Sequence, residues 1–472
     1  MPCKPKHRSR IGAILFTALF CFLLGTGFRT LFAGDEPAYK SLRLFADVLD
    51  LVEKNYVDPV DKKELVEKAI QGMVHSLDPH SQLLPAEALE ELQIDTRGEF
   101  GGIGIVITMQ NRLLTVISPI EGTPAYKAGV KAGDIIIEVD GESTKEMMLW
   151  EAVKRMRGPK GESVRIRIVR EGVEKPLDFT LVRDIIPIES VRFLALAPGY
   201  GYVRITNFQE KTADDLEDAL AALSGGEAGL KGLILDLRDN PGGLLNQAVD
   251  VSDIFLDEGV VVTIKGRLKR HTRVFRARPG RKKNGFPMVI LINGGSASAS
   301  EIVAGALQDQ KRAVILGTTS FGKGSVQTVE TLRDGYGLKF TIARYYTPSG
   351  RSIQAEGIQP DIIVRPRDLS EDTPTPEAGP HWLKEKDLRN HLDAKPLPGS
   401  PAEKEAEKAR ETGETDEEGA SSDESRDEND GDDGPAGNRY GPLNKTDLEK
   451  DNQIMRALEI LKGHGILTKT ES

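Results

Sequence analysis

The chain has 472 residues, 39% of them hydrophobic and 29% charged, with a formal net charge of -10. This length holds about three domains of ordinary size, and the modest apolar share implies that part of the chain stays unpacked. Cys3 and Cys21 are the only cysteines, which excludes a disulfide scaffold, a zinc ribbon and a cysteine nucleophile in the body. The negative charge is local: residues 401–433 carry 15 acidic and 4 basic side chains. The remainder is near neutral, and no basic face points to nucleic acid.

Lys4, Lys6, Arg8 and Arg10 precede an uncharged apolar run over residues 11–28. A basic flank before a hydrophobic stretch is read by the export machinery, and its basic end stays inside. The run of 18 residues is at the short edge for a spanning helix. No good cleavage site follows it. Residues 1–34 are therefore read as a signal peptide or, in preference, an uncleaved N-terminal membrane anchor. The body is then expected outside the cytoplasm, in the periplasm or cell envelope, anchored at the inner membrane.

Residues 38–97 read as an N-terminal helical region. Leu42, Phe45, Val48, Leu49 and Val52 recur at three- and four-residue spacing and give one apolar face. A second helix runs through Leu65, Ala69, Ile70 and Met73, and a turn at Leu77-Asp78-Pro79-His80-Ser81 leads into a third. Helices this short dock on a body or on a second copy, so a homo-oligomer is expected.

Residues 98–184 change character. Short β-rich runs at 103–108, 113–117, 135–139, 164–169 and 177–182 alternate with Gly and Pro turns, and helices fit at 124–128 and 147–156. Glu99-Phe100-Gly101-Gly102-Ile103-Gly104 resembles the carboxylate-binding loop of a PDZ domain. Ser118-Pro119-Ile120-Glu121-Gly122-Thr123-Pro124-Ala125 and Ala128-Gly129-Val130-Lys131-Ala132-Gly133-Asp134 resemble the PDZ core signature. Glycines let successive N–H groups turn toward one point, a nest for a terminal carboxylate, while the peptide adds as a strand to a sheet edge. Gly101, Gly102, Ile103 and Gly104 are the residues for that nest. Arg157 is a candidate hinge or relay residue.

Residues 185–367 alternate strand and helix in an α/β pattern. Strands are expected at 201–205, 232–237, 288–292, 313–316 and 338–344, and helices at 213–223, 246–255 and 301–307. Residues 368–440 are rich in Glu, Asp, Ser, Gly and Pro and are expected to be a disordered acidic linker. A C-terminal helix within 441–472 carries Leu448, Ile454, Leu458 and Leu461.

The sharpest feature is Asn293-Gly294-Gly295-Ser296-Ala297-Ser298-Ala299-Ser300-Glu301, between a buried strand and a helix. A turn of small residues there exposes a serine and aims free helix N–H groups at one spot, suited to attack on a carbonyl. No histidine lies between Asn284 and Pro366. His80 and His271 stay open as bases in three dimensions. The other candidate is Lys323, in Ser320-Phe321-Gly322-Lys323-Gly324-Ser325, which can act as a base once burial or positive neighbours lower its pKa. Gln327 is placed to hold its amine. Gly317 to Lys323 also fits the G-x-x-x-x-G-K phosphate-loop spacing, but Gly324 stands where Ser or Thr must bind magnesium, and a strand pattern follows.

Together these segments, over about residues 39–366, resemble the carboxyl-terminal processing (tail-specific) serine proteases. The resemblance implies an α/β protease core of the crotonase-like, ClpP-like kind with an inserted PDZ domain. It implies a serine endopeptidase that cleaves polypeptides near or from their C-terminus, with a Ser–Lys dyad and no cofactor or metal. Carried over, Ser298 is the nucleophile, Lys323 the general base 25 positions on, and Gln327 its orienting residue. Ser296 and Ser300 are decoys. Ala299 and Gly243, or Gly242 in its place, supply the oxyanion N–H groups. Polypeptides with free C-termini are the implied partners, with an activator protein as a further one. The alternative is a catalytically inactive PDZ adaptor or chaperone of the cell envelope.

Overall fold

The computed structural model describes residues 36–110, 112–145, 147–226, 229–280, 285–367, 369, 383–412 and 443–470. The N-terminal apolar run and most of the acidic stretch lie outside the described residues. Among the described residues no helix is long and apolar enough to cross a membrane. The chain divides after Met73 into two units.

The first unit holds α1 (Glu36–Asn55) and most of α2 (Lys62–His75). The apolar stripe of α1 is present, yet Leu42 is 67% and Val48 50% exposed. An amphipathic helix gains little from its pattern until that face is covered.

The second unit opens on a turn in which Asp78 accepts from the His80 N–H and the Ser81 hydroxyl. Between this turn and α3 (Ala86–Arg97) lies β1 (Gln82–Leu84), where the sequence suggested only a turn and helix. Three residues are too few for an alternating pattern to register. β1 forms because it pairs across the chain, Gln82 with Lys339 and Leu84 with Gly337.

The next elements are β2 (Glu99–Gly102), β3 (Ile105–Gln110), β4 (Leu113–Pro119), α4 (Pro124–Ala128), β5 (Ile135–Val139), β6 (Glu142–Ser143), α5 (Leu149–Met156), β7 (Ser163–Val169), β8 (Leu177–Val182) and β9 (Asp184–Pro187). β3, β4, β5, β7 and β8 form an antiparallel sheet in that order, with β6 beside β5. Val164, Ile166 and Ile168 alternate inward from β7, as a half-covered sheet requires. Ala125, Ala152 and Met156 from the two helices close the same core. β2 and β9 pair with each other, Gly102 opposite Asp184, so the chain enters and leaves this module side by side.

The remaining elements are β10 (Val191–Ala197), β11 (Tyr200–Ile205), α6 (Thr212–Ser224), β12 (Gly232–Asp236), α7 (Leu245–Asp253), β13 (Val260–Gly266), β14 (Arg273–Arg276), β15 (Met288–Ile292), α8 (Ala299–Asp309), β16 (Val314–Gly317), β17 (Ser325–Thr331), β18 (Gly337–Tyr346), β19 (Ile362–Ile363), α9 (Pro401–Thr412), α10 (Lys445–Leu448) and α11 (Asn452–Thr470). One sheet runs β10-β11-β12-β15-β16-β19, parallel from β11 onward. A second contains β1, β18, β13 and β14, with β17 against β18. Every residue of β12 and β15 is buried, and all but Asp236 at the end of β12 are glycine or apolar, as suits parallel strands covered on both faces. Leu216, Val251, Val303 and Leu307 from α6, α7 and α8 cover one face. Ile454, Ala457, Leu458 and Leu461 of α11 cover the other, against Ile234, Val289 and Leu291.

A buried polar knot fastens α11 to the end of β12. Asp236 is fully buried and takes the Arg238 guanidinium at 2.7 Å and the Tyr202 hydroxyl at 2.7 Å. Arg238 also reaches Asp451 and Gln453, each at 2.7 Å. Burial pushes the Asp236 carboxyl up, but Arg238 and Arg204 outweigh it and hold it at about 2.

The expectation of a wholly disordered stretch at 368–440 is corrected here. Residues 383–400 pack on the core, with Glu385 fully buried and Ser400 7% exposed, and α9 follows. Composition averages over a window, whereas Lys384 and Glu385 each find a specific partner.

Candidate active site

β15 and β16 run parallel, so the turns leaving their carboxyl ends lie side by side. The first turn delivers Ser298 to the N-cap of α8 with φ 55 and ψ -113. That backbone is strained for any residue but glycine, and such strain persists only where neighbours hold it. The neighbours are the residues following β12. Asn293 accepts from the Asp239 N–H and donates to its carboxylate, at 2.9 and 2.8 Å. The Asn240 carbonyl receives the Ala297 N–H and the Ser300 hydroxyl.

The three serines of this turn separate by environment. Ser296 is fully buried and donates to the Leu237 carbonyl at 2.8 Å. Ser300 is fully buried and donates to the Asn240 carbonyl at 2.9 Å. Ser298 is partly exposed, and among the described residues its hydroxyl donates to no backbone carbonyl, unlike those of Ser296 and Ser300.

Gly242 lies against Ser298: a methyl there would sit 2.7 Å from the Ser298 Cβ, and its φ is 108. Its N–H is spent on the Asn240 side chain at 2.9 Å. Among the described residues the N–H groups of Gly243 and Ala299 donate to no hydrogen bond, Gly243 lying beside Phe208 in an isolated bridge.

The second turn carries Lys323. Its approach is bonded to the first turn, the Phe321 N–H donating to the Ser296 carbonyl at 3.0 Å. Lys323 is partly buried, and among the described residues its amine makes no hydrogen bond or ion pair. Burial, reinforced by the Lys339 charge, brings the amine down to about 8, against the opposite pull of Glu385, Glu301 and Asp78. The Ser298 hydroxyl and the Lys323 amine are not hydrogen-bonded to each other among the described residues. Gln327 donates to Ser325 and Thr341, at 2.9 and 3.2 Å, and not to Lys323. Gly324 leads directly into strand β17, so the helix that a phosphate loop needs does not follow.

Glu301 joins the two turns. Fully buried, it accepts the Ser298 and Lys323 N–H groups on Oε2, and the Gly322 N–H and Ser320 hydroxyl on Oε1. Burial pushes its carboxyl up to about 7 despite those four donors. The sequence offered one sign of this: a glutamate three residues past a serine N-cap, the capping-box spacing. The Tyr345 hydroxyl is buried without a hydrogen-bond partner among the described residues; burial and the Glu301 charge push it up, and Ser298 pulls it the other way.

The histidines are occupied elsewhere. His80 Nε2 lies 2.7 Å from the Glu385 carboxylate. His271 receives the Arg270 side chain at 3.1 Å.

In the PDZ-like module, Gly101 and Gly102 belong to the paired strand β2. Ile103 and Gly104 form the loop before β3, with Ile103 buried and Gly104 at φ 76. Among the described residues β3 is an edge strand whose only sheet partner is β4. Arg157 forks onto Glu91 at 2.7 and 3.0 Å and lies 4.6 Å over the Phe100 ring, which ties α5 to α3 and β2.

Residues 199–364 match peptidase family S41, residues 115–170 match the PDZ domain, and residues 32–88 match the N-terminal domain of the activating protease CtpB. A carboxy-terminal-processing protease of Bartonella bacilliformis is 47% identical over 366 residues, 76% of this chain and 82% of that one. The chain belongs to the S41 carboxy-terminal-processing proteases. The carboxy-terminal processing protease CtpA of Bacillus subtilis is 37% identical over 75% of each chain. A solved photosystem II D1 C-terminal processing protease is 34% identical, covers 68% of this chain and 92% of its own, and has a TM-score of 0.40. The protein is thus a serine-type peptidase with a PDZ domain. In this protease the sequence marked both turns but passed over Glu301 and Lys339, whose parts depend on burial.

Proposed function

We propose that this protease cleaves polypeptides near or from their C-termini, with Ser298 as nucleophile and neutral Lys323 as general base. The carrying observation is that both turns converge on one buried carboxylate, with the Lys323 amine unpaired and brought down to about 8. Lys323 Nζ takes the Ser298 hydroxyl proton, and the oxygen attacks the scissile carbonyl carbon. The Gly243 and Ala299 N–H groups receive the developing oxyanion. Gly243 is preferred to Gly242, whose N–H is already spent. As the C–N bond breaks, the lysine returns its proton to the leaving amine. Water then hydrolyses the acyl-serine with the same base. Gln327 orients the amine through its carbonyl oxygen, which accepts no hydrogen bond among the described residues. The Ser–Lys hydrogen bond forms on substrate binding, since such contacts commonly tighten only in the Michaelis complex.

The PDZ domain captures a free substrate carboxylate at Gly101, Gly102, Ile103 and Gly104, and the peptide adds along the open edge of β3. The names of the relatives support this reading of tails. The basic flank and apolar run at the N-terminus support an anchored enzyme working in the periplasm or cell envelope. The uncovered apolar face of α1 supports a homo-oligomer or an activator protein as partner.

The test is digestion of an unstructured peptide, with a free or an amidated C-terminus, by wild type, Ser298→Ala and Lys323→Ala. Cleavage by wild type alone, mainly of the free end, is expected. Retained cleavage in Lys323→Ala overturns the dyad, and equal cleavage of the amidated peptide overturns the tail-reading role.

A further inference from the structure

Beyond the core, residues 383–391 return to the back of the Lys323 turn. The Lys384 amine donates to the Thr319 and Ser320 carbonyls at 2.6 and 2.9 Å. The Glu385 N–H donates to the Phe321 carbonyl at 3.2 Å. The Glu385 carboxylate is fully buried. One oxygen takes the Gln354 amide at 2.8 Å, and the Gln354 carbonyl oxygen takes the Gly324 N–H at 2.9 Å. The other faces His80 Nε2 at 2.7 Å. The segment therefore grips the turn on both sides of Lys323, at 319–321 and at 324. An isolated buried carboxylate is costly, so this arrangement has to be held by its partners.

We propose that the Lys384-Glu385 strap is a positioning element for the catalytic base, and that the His80–Glu385 pair sets the charge felt by Lys323. The proposal rests on the Ser298–Lys323 reading above. The charged groups acting on Lys323 are Glu301 from α8, Lys339 from β18, Asp78 from the turn before β1, and Glu385 from the strap. Glu385 favours the protonated lysine. His80, hydrogen-bonded to it, limits that pull. On this proposal, loss of Glu385 and loss of its hydrogen-bond partner His80 move the base in opposite directions, a readout that a purely structural pair would not give.

The experiment measures kcat and KM against pH, on a peptide that wild type cleaves, for Glu385→Gln, His80→Ala and Lys384→Ala. Lys323→Ala serves as control, and circular dichroism monitors folding. Glu385→Gln is expected to move the acid limb of kcat to lower pH, and His80→Ala to higher pH. Lys384→Ala is expected to lower the high-pH plateau of kcat about tenfold with KM little changed, since it loosens the turn and leaves these charges in place. Folded variants with wild-type limbs and plateau overturn the strap. Limbs that move together in one direction overturn the charge role of the pair. If Glu385→Gln does not fold, the His80 and Lys384 variants still decide the matter. Activity in Lys323→Ala would instead sink the dyad, a result distinguishable from all of these.

Discussion

The backbone N–H groups of Ser298 and Lys323 meet on a single atom, Oε2 of Glu301, at 2.8 and 2.9 Å. The spacing of the proposed nucleophile and base is thereby fixed through their main chains rather than their side chains. Glu301→Gln places an amide NH2 against the Ser298 and Lys323 N–H groups or, turned over, against the Gly322 N–H and the Ser320 hydroxyl, and a buried donor left facing a donor costs about 1–3 kcal/mol. We expect kcat to fall about a hundredfold with KM nearly unchanged, since misplacement of the reacting groups is a loss confined to the chemical step. Steady-state kinetics on a folded variant checks this, and a change in KM alone would contradict it.

On the proposed mechanism Lys323 must be neutral to act. With Lys323 at about 8, kcat/KM should rise with pH along an acid limb centred near that value. Lys339 contributes to the lowering, so Lys339→Gln should move the limb to higher pH and reduce activity most at neutral pH. A pH–rate profile of the two proteins decides the point.

Gly242 has no room for a side chain. Gly242→Ala would press a methyl onto the Ser298 Cβ in a backbone conformation that disfavours alanine. The expected result is a folded protein whose activity falls more than tenfold. An active-site serine label compared with circular dichroism would separate this from unfolding.

Arg238 compensates the buried Asp236 and holds Asp451 and Gln453 of the C-terminal segment. Arg238→Ala should cost about 3–5 kcal/mol, because the buried carboxylate loses its direct ion partner and keeps only the Tyr202 hydroxyl and the more distant Arg204. Denaturant unfolding measures the loss. The same pair sets an acid limit. Asp236 is held at about 2, below its unfolded value of ~3.9, so its stabilisation is complete above that value and disappears as pH falls through about 2.

The parts legible in the sequence were those governed by local pattern. Alternation in residues 163–169, the all-apolar run at Met288–Ile292 and the stripe of Ile454, Leu458 and Leu461 each announced their element. The two turns of small residues after buried strands were legible as places for a nucleophile and a base, and the choice of Ser298 and Lys323 within them came from the family resemblance. What escaped depends on pairing or burial across long separations. β1 exists through partners beyond residue 336. Glu301 reads as an ordinary helix-start residue until its four donors are seen. Lys384 and Glu385 sit in a stretch whose overall composition is that of a solvated chain, yet the few residues that dock do so through specific bonds.

The pairing of β2 with β9 gives the recognition module a single doorway. Gly102 and Asp184 are cross-strand partners, about 5 Å apart as such positions are. A two-residue Asn-Gly turn is enough to join them. Everything between them joins the rest of the chain covalently through this one strand pair, and Arg157 adds a side-chain tie to Glu91 on α3. On the proposed reading, target choice and bond breaking occupy two segments of one polypeptide that meet at this strand pair.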